Sequence, residues 1–170
     1  MLTPDDVQKY MDARAVQGEI LVLDVPTPTV ETAAQAVGAL PQQIIKSILF
    51  LVSGQPVLAI TCGTETVYRR AIAALYGVGR KKVKLASPQE VLESAGYPVG
   101  AMPPFAHLQP LPTLIDRRVL QQPFVFGGGG ADNTLLRLAP ADLLRLTAAQ
   151  VLDLTSPAEI SDSQIVEPHP

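Results

Sequence analysis

Apolar and polar positions change period several times along the chain, and each change marks an element. Thr3-Pro4-Asp5-Asp6 has the signature of a helix start, with a cap, a proline at the first helical position and two acids where the dipole is positive. It predicts a helix to about Val16. The β-branched and aliphatic run 19–25, closed by Pro26 and Pro28, predicts a strand. Thr29 then caps a helix whose Val30, Ala33, Ala34 and Val37 share a face, and Gly38 and Pro41 stop it. Runs 43–52 and 57–61, joined by Ser53-Gly54-Gln55-Pro56, predict a hairpin of mostly buried strands. Helical spacing of Val67, Ala71, Ala74 and Leu75 predicts a helix over 65–76, and the alternation over 82–86 an edge strand. Ser87-Pro88-Gln89-Glu90 is a capping box that opens a helix over 88–95.

Residues 96–112 follow no period and are rich in proline and glycine, a length of irregular chain that is usually functional in a compact domain. Strands are predicted over 113–116, 124–126 and 134–138, a bend over 127–130, and a short helix from Pro140 to Leu146. Strands outnumber helices without βαβ alternation. The expected fold is therefore a single α+β domain over 1–155, with a mixed, strongly curved β-sheet flanked by helices. Residues 156–170, dominated by proline, serine and acids, are expected to form a flexible acidic tail.

Composition narrows the function classes. A chain of 170 residues with 47% apolar side chains can bury one adequate core, and its single cysteine, Cys62, cannot form an internal disulfide. A net charge of −3 excludes indiscriminate coating of nucleic acid or anionic membrane. No apolar run reaches the roughly 18–20 residues that span a bilayer, and the N-terminus has no basic start before an apolar stretch, so a soluble cytoplasmic protein is expected. The average conceals a segregation. Arg69, Arg70, Arg80, Lys81, Lys82 and Lys84 lie between Thr66 and Gln89, a window without Asp or Glu, whereas no basic residue follows Arg145. The window is either a solvated face or a docking surface on which Lys and Arg contact phosphates.

Side chains for familiar catalysis are few. His169 falls in the expected tail, which leaves His107, on the long loop, for any triad, and no spacing suits zinc. Cys62, after a strand, reads as a buried small hydrophobe rather than a nucleophile. Gly127-Gly128-Gly129-Gly130 lacks the Lys-Ser/Thr of a phosphate loop, leaving open a hairpin bend or a backbone that a ligand approaches closely. Lys46 interrupts a run of Ile and Leu in a strand, where a lysine must snorkel out, find an acid or serve a site.

Five segments in order carry a resemblance: residues 30–38, alanine-rich; Gln43-Ile44-Ile45-Lys46-Ser47-Ile48; Gly96 through Pro104; Leu111-Pro112-Thr113-Leu114-Ile115-Asp116; and the glycine bend leading to Leu138-Ala139-Pro140-Ala141-Asp142-Leu143. Together they resemble the YbaK/EbsC family of free-standing aminoacyl-tRNA deacylases, which is similar to the editing domain of bacterial prolyl-tRNA synthetases. The resemblance spans residues 29–152. It implies hydrolysis of the ester joining a wrong amino acid to the 3′ end of a tRNA, with no metal or cofactor. Lys46 would be the site lysine, and Gly100 to Pro104 the Gly-x-x-x-Pro loop whose amides hold the substrate carbonyl and terminal ribose. Substrate contacts are implied for Gly100, Ala101, Met102, Pro103, Pro104, Asp116, Gly127, Gly128 and Gly129. An aminoacyl ester is already activated, so a placed water, oriented donors and a vicinal ribose hydroxyl can suffice.

Members acting on cysteinyl-tRNA carry a serine and a Lys/Arg-Gly pair around the bend, which this chain replaces with Gly127 through Asn133, closer to the EbsC-like branch. The sequence does not name the amino acid; because size alone discriminates only about 10–200-fold per methylene, small residues such as alanine, serine or cysteine are the sensible panel to test. The expected partner is the acceptor end of a misacylated tRNA, docked on the basic window, with a synthetase as a possible second partner. Two rivals remain open: a noncatalytic aminoacyl-tRNA or small-ligand binding module, and an interaction domain whose basic window meets an acidic partner or the chain's own tail.

Overall fold

The computed structural model describes residues 1–155; the expected tail, with His169, lies outside them. Five helices are described: α1 (Pro4–Ala13), α2 (Val30–Val37), α3 (Arg69–Tyr76), α4 (Pro88–Ala95) and α5 (Pro140–Thr147). The strands are β1 (Glu19–Val22), β2 (Ile45–Val52), β3 (Gln55–Cys62), β4 (Val83–Leu85), β5 (Thr113–Asp116), β6 (Val125–Gly128), β7 (Thr134–Leu138) and β8 (Gln150–Leu152).

The α+β expectation holds, and its strands divide between two sheets. The five-stranded sheet, in order β4-β2-β3-β5-β8, is mixed, with β3-β5 and β5-β8 parallel. The three-stranded sheet, β1-β7-β6, is antiparallel, and a parallel bridge between Ile44 and Phe126 links the two. Even-numbered residues of β2 face α3, where Phe50, Val57, Ala59, Ile72, Ala73 and Leu114 form one apolar cluster. Odd-numbered residues face the main core, which joins Leu49, Leu58, Ile60 and Ile115 to Met11 of α1, Tyr97 and Leu136. Each fully buried aliphatic side chain there contributes roughly 1.5–3 kcal/mol.

Several boundaries moved for physical reasons. α3 starts at Arg69 rather than residue 65, because Val67 bridges to Thr155 and the Tyr68 amide donates to Leu154 O at 2.6 Å. Pairing with the C-terminal segment competes with the helix for that backbone. α1 ends at Ala13, short of the predicted Val16. The Arg117–Gln121 3-10 turn and the three-residue β8 were not anticipated; the turn is capped by the Asp116 carboxylate, which accepts from the Arg118 amide at 2.9 Å. The glycine run is strand through Gly128, not a bend from its first residue.

Candidate active site

β4 pairs with β2 at Phe50–Val52, and the Ala86 amide just beyond it donates to Leu49 O at 3.0 Å, so among the described residues the outer edge of β2 from Ile45 to Ile48 has no strand paired with it. A cavity of about 340 Å³ runs along that edge. Across it stand the start of α2 (Thr29, Val30, Ala33), Gly127 and Gly128 of β6, Val99, Gly100 and Met102 of the long loop, and Leu85, Ala86, Pro88 and Val91 where β4 passes into α4. The wall is largely apolar. Its charged residues are Lys46 and Asp132.

Lys46 is half-buried and pairs with Thr61, so it points to the α3 face at the end of β2 where the sheet opens on the cavity. Its Nζ donates to the Glu65 carbonyl at 3.2 Å, leaving donors for a ligand. Gly100 sits at φ +87°, a left-handed conformation that glycine adopts without steric cost, and turns the loop toward the cavity. Ala101 donates its amide to Pro98 O at 3.1 Å, and Pro103 and Pro104 have no amide hydrogen. Among the loop's five residues, the amides of Gly100 and Met102 therefore remain, and both residues line the cavity.

The glycine bend is explained by close approach of backbones. A Cβ on Gly128 would stand 2.9 Å from Ala101 O and closer still to Met102 O, while one on Gly127 would meet the Ile45 side chain at 2.9 Å. Gly130 donates to Ala101 O at 2.9 Å. The run thus seats the Gly100–Pro104 loop directly on β6, and it is chain rather than ligand that needs the missing side chains.

The structure brings Lys46, Gly100, Met102, Gly127 and Gly128 to one cavity. Ala101, Pro103 and Pro104 are buried behind it, and Gly129 is buried against Thr134. Asp116 is placed elsewhere. It is 2% exposed, and its carboxylate accepts from the amides of Arg118 and Leu154, from Arg118 Nε at 3.2 Å and from Thr155 Oγ1 at 3.4 Å, so the structure does not bring it to the cavity. Burial opposes its ionisation, but these donors outweigh it and hold the carboxyl below its usual range. Cys62 is buried and burial pushes its thiol up, away from nucleophile character. His107 lies outside the cavity with Nε2 2.8 Å from Pro103 O, so it braces the loop from behind.

Asp132, Ser47 and the Thr27–Thr29 stretch escaped the sequence reading. Thr29 was legible only as a cap, and nothing in the local pattern indicated that α2 starts at the cavity. Of the basic window, Arg69, Arg80, Lys81 and Lys84 line a groove of about 450 Å³ beside β4, and Leu85, which follows Lys84 in the chain, lines the cavity. Lys82 is exposed beside them and Arg70 is half-buried on α3.

Residues 24–146 match the model of the aminoacyl-tRNA editing domain. The uncharacterized protein YwhH of Bacillus subtilis is 26% identical over 136 residues, covering 79% of this chain and 85% of that protein. Proline–tRNA ligase of Acidithiobacillus ferrooxidans is 27% identical over 163 residues; the match covers 84% of this chain but 28% of the ligase. A crystal structure described as a candidate trans-editing enzyme for prolyl-tRNA synthetase superposes with a TM-score of 0.84 at 34% identity, covering 92% of this chain and all of that one. Lys46, the Gly100 loop and the glycine bend all fall within the matched residues, and the protein belongs to the aminoacyl-tRNA editing domain family.

Proposed function

We propose that this protein is an aminoacyl-tRNA deacylase that edits in trans, hydrolysing the ester between a small amino acid and the terminal ribose of a misacylated tRNA. The observation that supports this reading is one largely apolar cavity lined by Lys46, Asp132, Gly100 and Met102, the last two with backbone amides that donate to no backbone carbonyl among the described residues. The amides of Gly100 and Met102 receive the ester carbonyl as negative charge develops on its oxygen. Lys46 takes the phosphate or ribose side of the terminal adenosine. Asp132 supplies the counter-charge for the α-ammonium of the amino acid. Water adds to the carbonyl carbon, the bond to the ribose oxygen breaks, and that oxygen takes up a proton, assisted by the vicinal hydroxyl. Free amino acid and tRNA with an intact 3′ end leave.

The basic groove beside β4 would receive the acceptor stem, since the strand that carries Lys84 in the groove carries Leu85 in the cavity wall as its next residue. The relationship to proline–tRNA ligases makes tRNA for proline the first carrier to examine. The test is release of radiolabelled amino acid by the purified protein from alanyl-, seryl-, cysteinyl- and threonyl-tRNA on several tRNA bodies. Release from at least one supports the reading. Binding without release from any would leave a noncatalytic module as the better description.

A further inference from the structure

Behind Lys46 lies a polar network that the chemistry above does not use. Lys46 and Thr61 are paired across β2 and β3, and Asp116 falls in the same row one step beyond the Ile60–Ile115 pair of β3 and β5. The Arg118 guanidinium spreads over this end of the sheet. Its Nε donates to Asp116 Oδ1 at 3.2 Å, its Nη1 pairs with the Glu65 carboxylate, and its Nη2 donates to Thr155 Oγ1. Glu65 is also the residue whose carbonyl accepts from Lys46 Nζ. The stretch that carries it is fixed at both ends: Gly63 donates to Ile44 O at 3.0 Å, and Val67 and Tyr68 pair with Thr155 and Leu154.

We infer that Arg118 is a positioning residue for Lys46, acting through Glu65, with buried Asp116 as the anchor that aims the guanidinium. A lysine has four rotatable bonds and a point charge, so its placement depends on what holds it, whereas a guanidinium fork has fixed geometry. Here the fork locks the side chain of Glu65 and the chain at Thr155, and the Glu65 carbonyl in turn selects one position for the ammonium. An exposed ion pair alone contributes little, but a network anchored on a buried, fully bonded carboxylate is held more firmly. A wrongly placed charge loses rate steeply, which is why a positioning shell matters at such a site. The inference rests on the deacylase reading for its effect on rate, but not for its effect on Lys46 itself.

The experiment therefore has two readouts. In the full chain, Lys46 is labelled with trace acetic anhydride and quantified by peptide mass spectrometry against Lys9, in wild type, Arg118→Met, Arg118→Lys and Glu65→Ala. Release of the ammonium from Glu65 raises Lys46 labelling about threefold or more in Arg118→Met and Glu65→Ala, with Arg118→Lys between them and wild type. Unchanged labelling in Glu65→Ala, which sits on an exposed turn and leaves the core intact, overturns the inference even if Arg118→Met fails to fold. The second readout is a deacylation cycle with Lys46→Ala: Glu65→Ala costs about tenfold in kcat beside Lys46 and under about twofold in its absence. Equal losses in both backgrounds would show a merely structural role and overturn it. If wild type releases no amino acid, the deacylase reading fails while the labelling result still decides this one.

Discussion

At the scale of single residues, the site is set by what each backbone position allows. Gly128 is required for space rather than conformation: its Cβ would press on two backbone carbonyls of the Gly100 loop, which cannot yield as a flexible side chain would. Gly128→Ala is expected to destabilise the protein by about 1–3 kcal/mol, the range for overpacking, and to lower deacylation further by displacing Met102. Chemical denaturation of the variant measures the first effect, and a wild-type midpoint would refute the packing account. Lys46 could be singled out from the sequence because a cation breaking an aliphatic strand needs a reason. Asp116 looked equivalent, as the acid ending a strand in a recognisable segment, yet its donors come from Arg118 and Leu154, one of them 38 positions away. Such long-range satisfaction of a carboxylate leaves no trace in local spacing, which also explains why Arg118 and Glu65 passed unnoticed.

At the scale of elements, the long loop is far from loose. Tyr97, fully buried, donates to Ala106 O at 3.0 Å; Leu108 donates to Ala95 O; Phe105 stacks on Tyr10 with ring centroids 5.2 Å apart. His107 closes the set at Pro103 O. Burial holds its imidazole below the ordinary histidine value, against the raising effect of that hydrogen bond. The folded state therefore binds the proton less readily than the unfolded chain. Stability from the neutral ring is fully present above about pH 6.5 and is lost as pH falls from there toward the folded value. Thermal melts are expected to show Tm declining below about pH 6.5, with a flatter profile for His107→Gln; identical profiles would assign the decline to other groups. Helix α4 was legible to the residue because its start is a local capping box and its end a glycine. The order inside residues 96–112 was not, since proline and glycine announce irregular backbone without saying what pins it.

At the scale of the molecule, the charge segregation read from the sequence becomes a surface. Arg69, Arg80, Lys81 and Lys84 converge on one groove although they belong to α3, a 3-10 turn and β4. Lys81→Ala/Lys84→Ala is expected to weaken tRNA binding and to lower the slope of log affinity against log salt by about 2 in magnitude, while kcat at saturating tRNA is retained. An unchanged slope would remove this groove from the docking surface. The division into two sheets is a whole-chain property that strand patterns do not encode, nor do they encode the end of β4, which leaves β2 unpaired on that side along Ile45–Ile48 among the described residues. That gap is also what creates the cavity.

The central claim is that Lys46 and the Gly100 loop form a hydrolytic site for aminoacyl-tRNA. The most direct measurement is single-turnover release of amino acid from alanyl-tRNA for proline by wild type and by Lys46→Ala, with Tm recorded for both. The account predicts release well above the buffer rate by wild type and a loss of at least about tenfold in Lys46→Ala at unchanged Tm. Equal release by both proteins would contradict it.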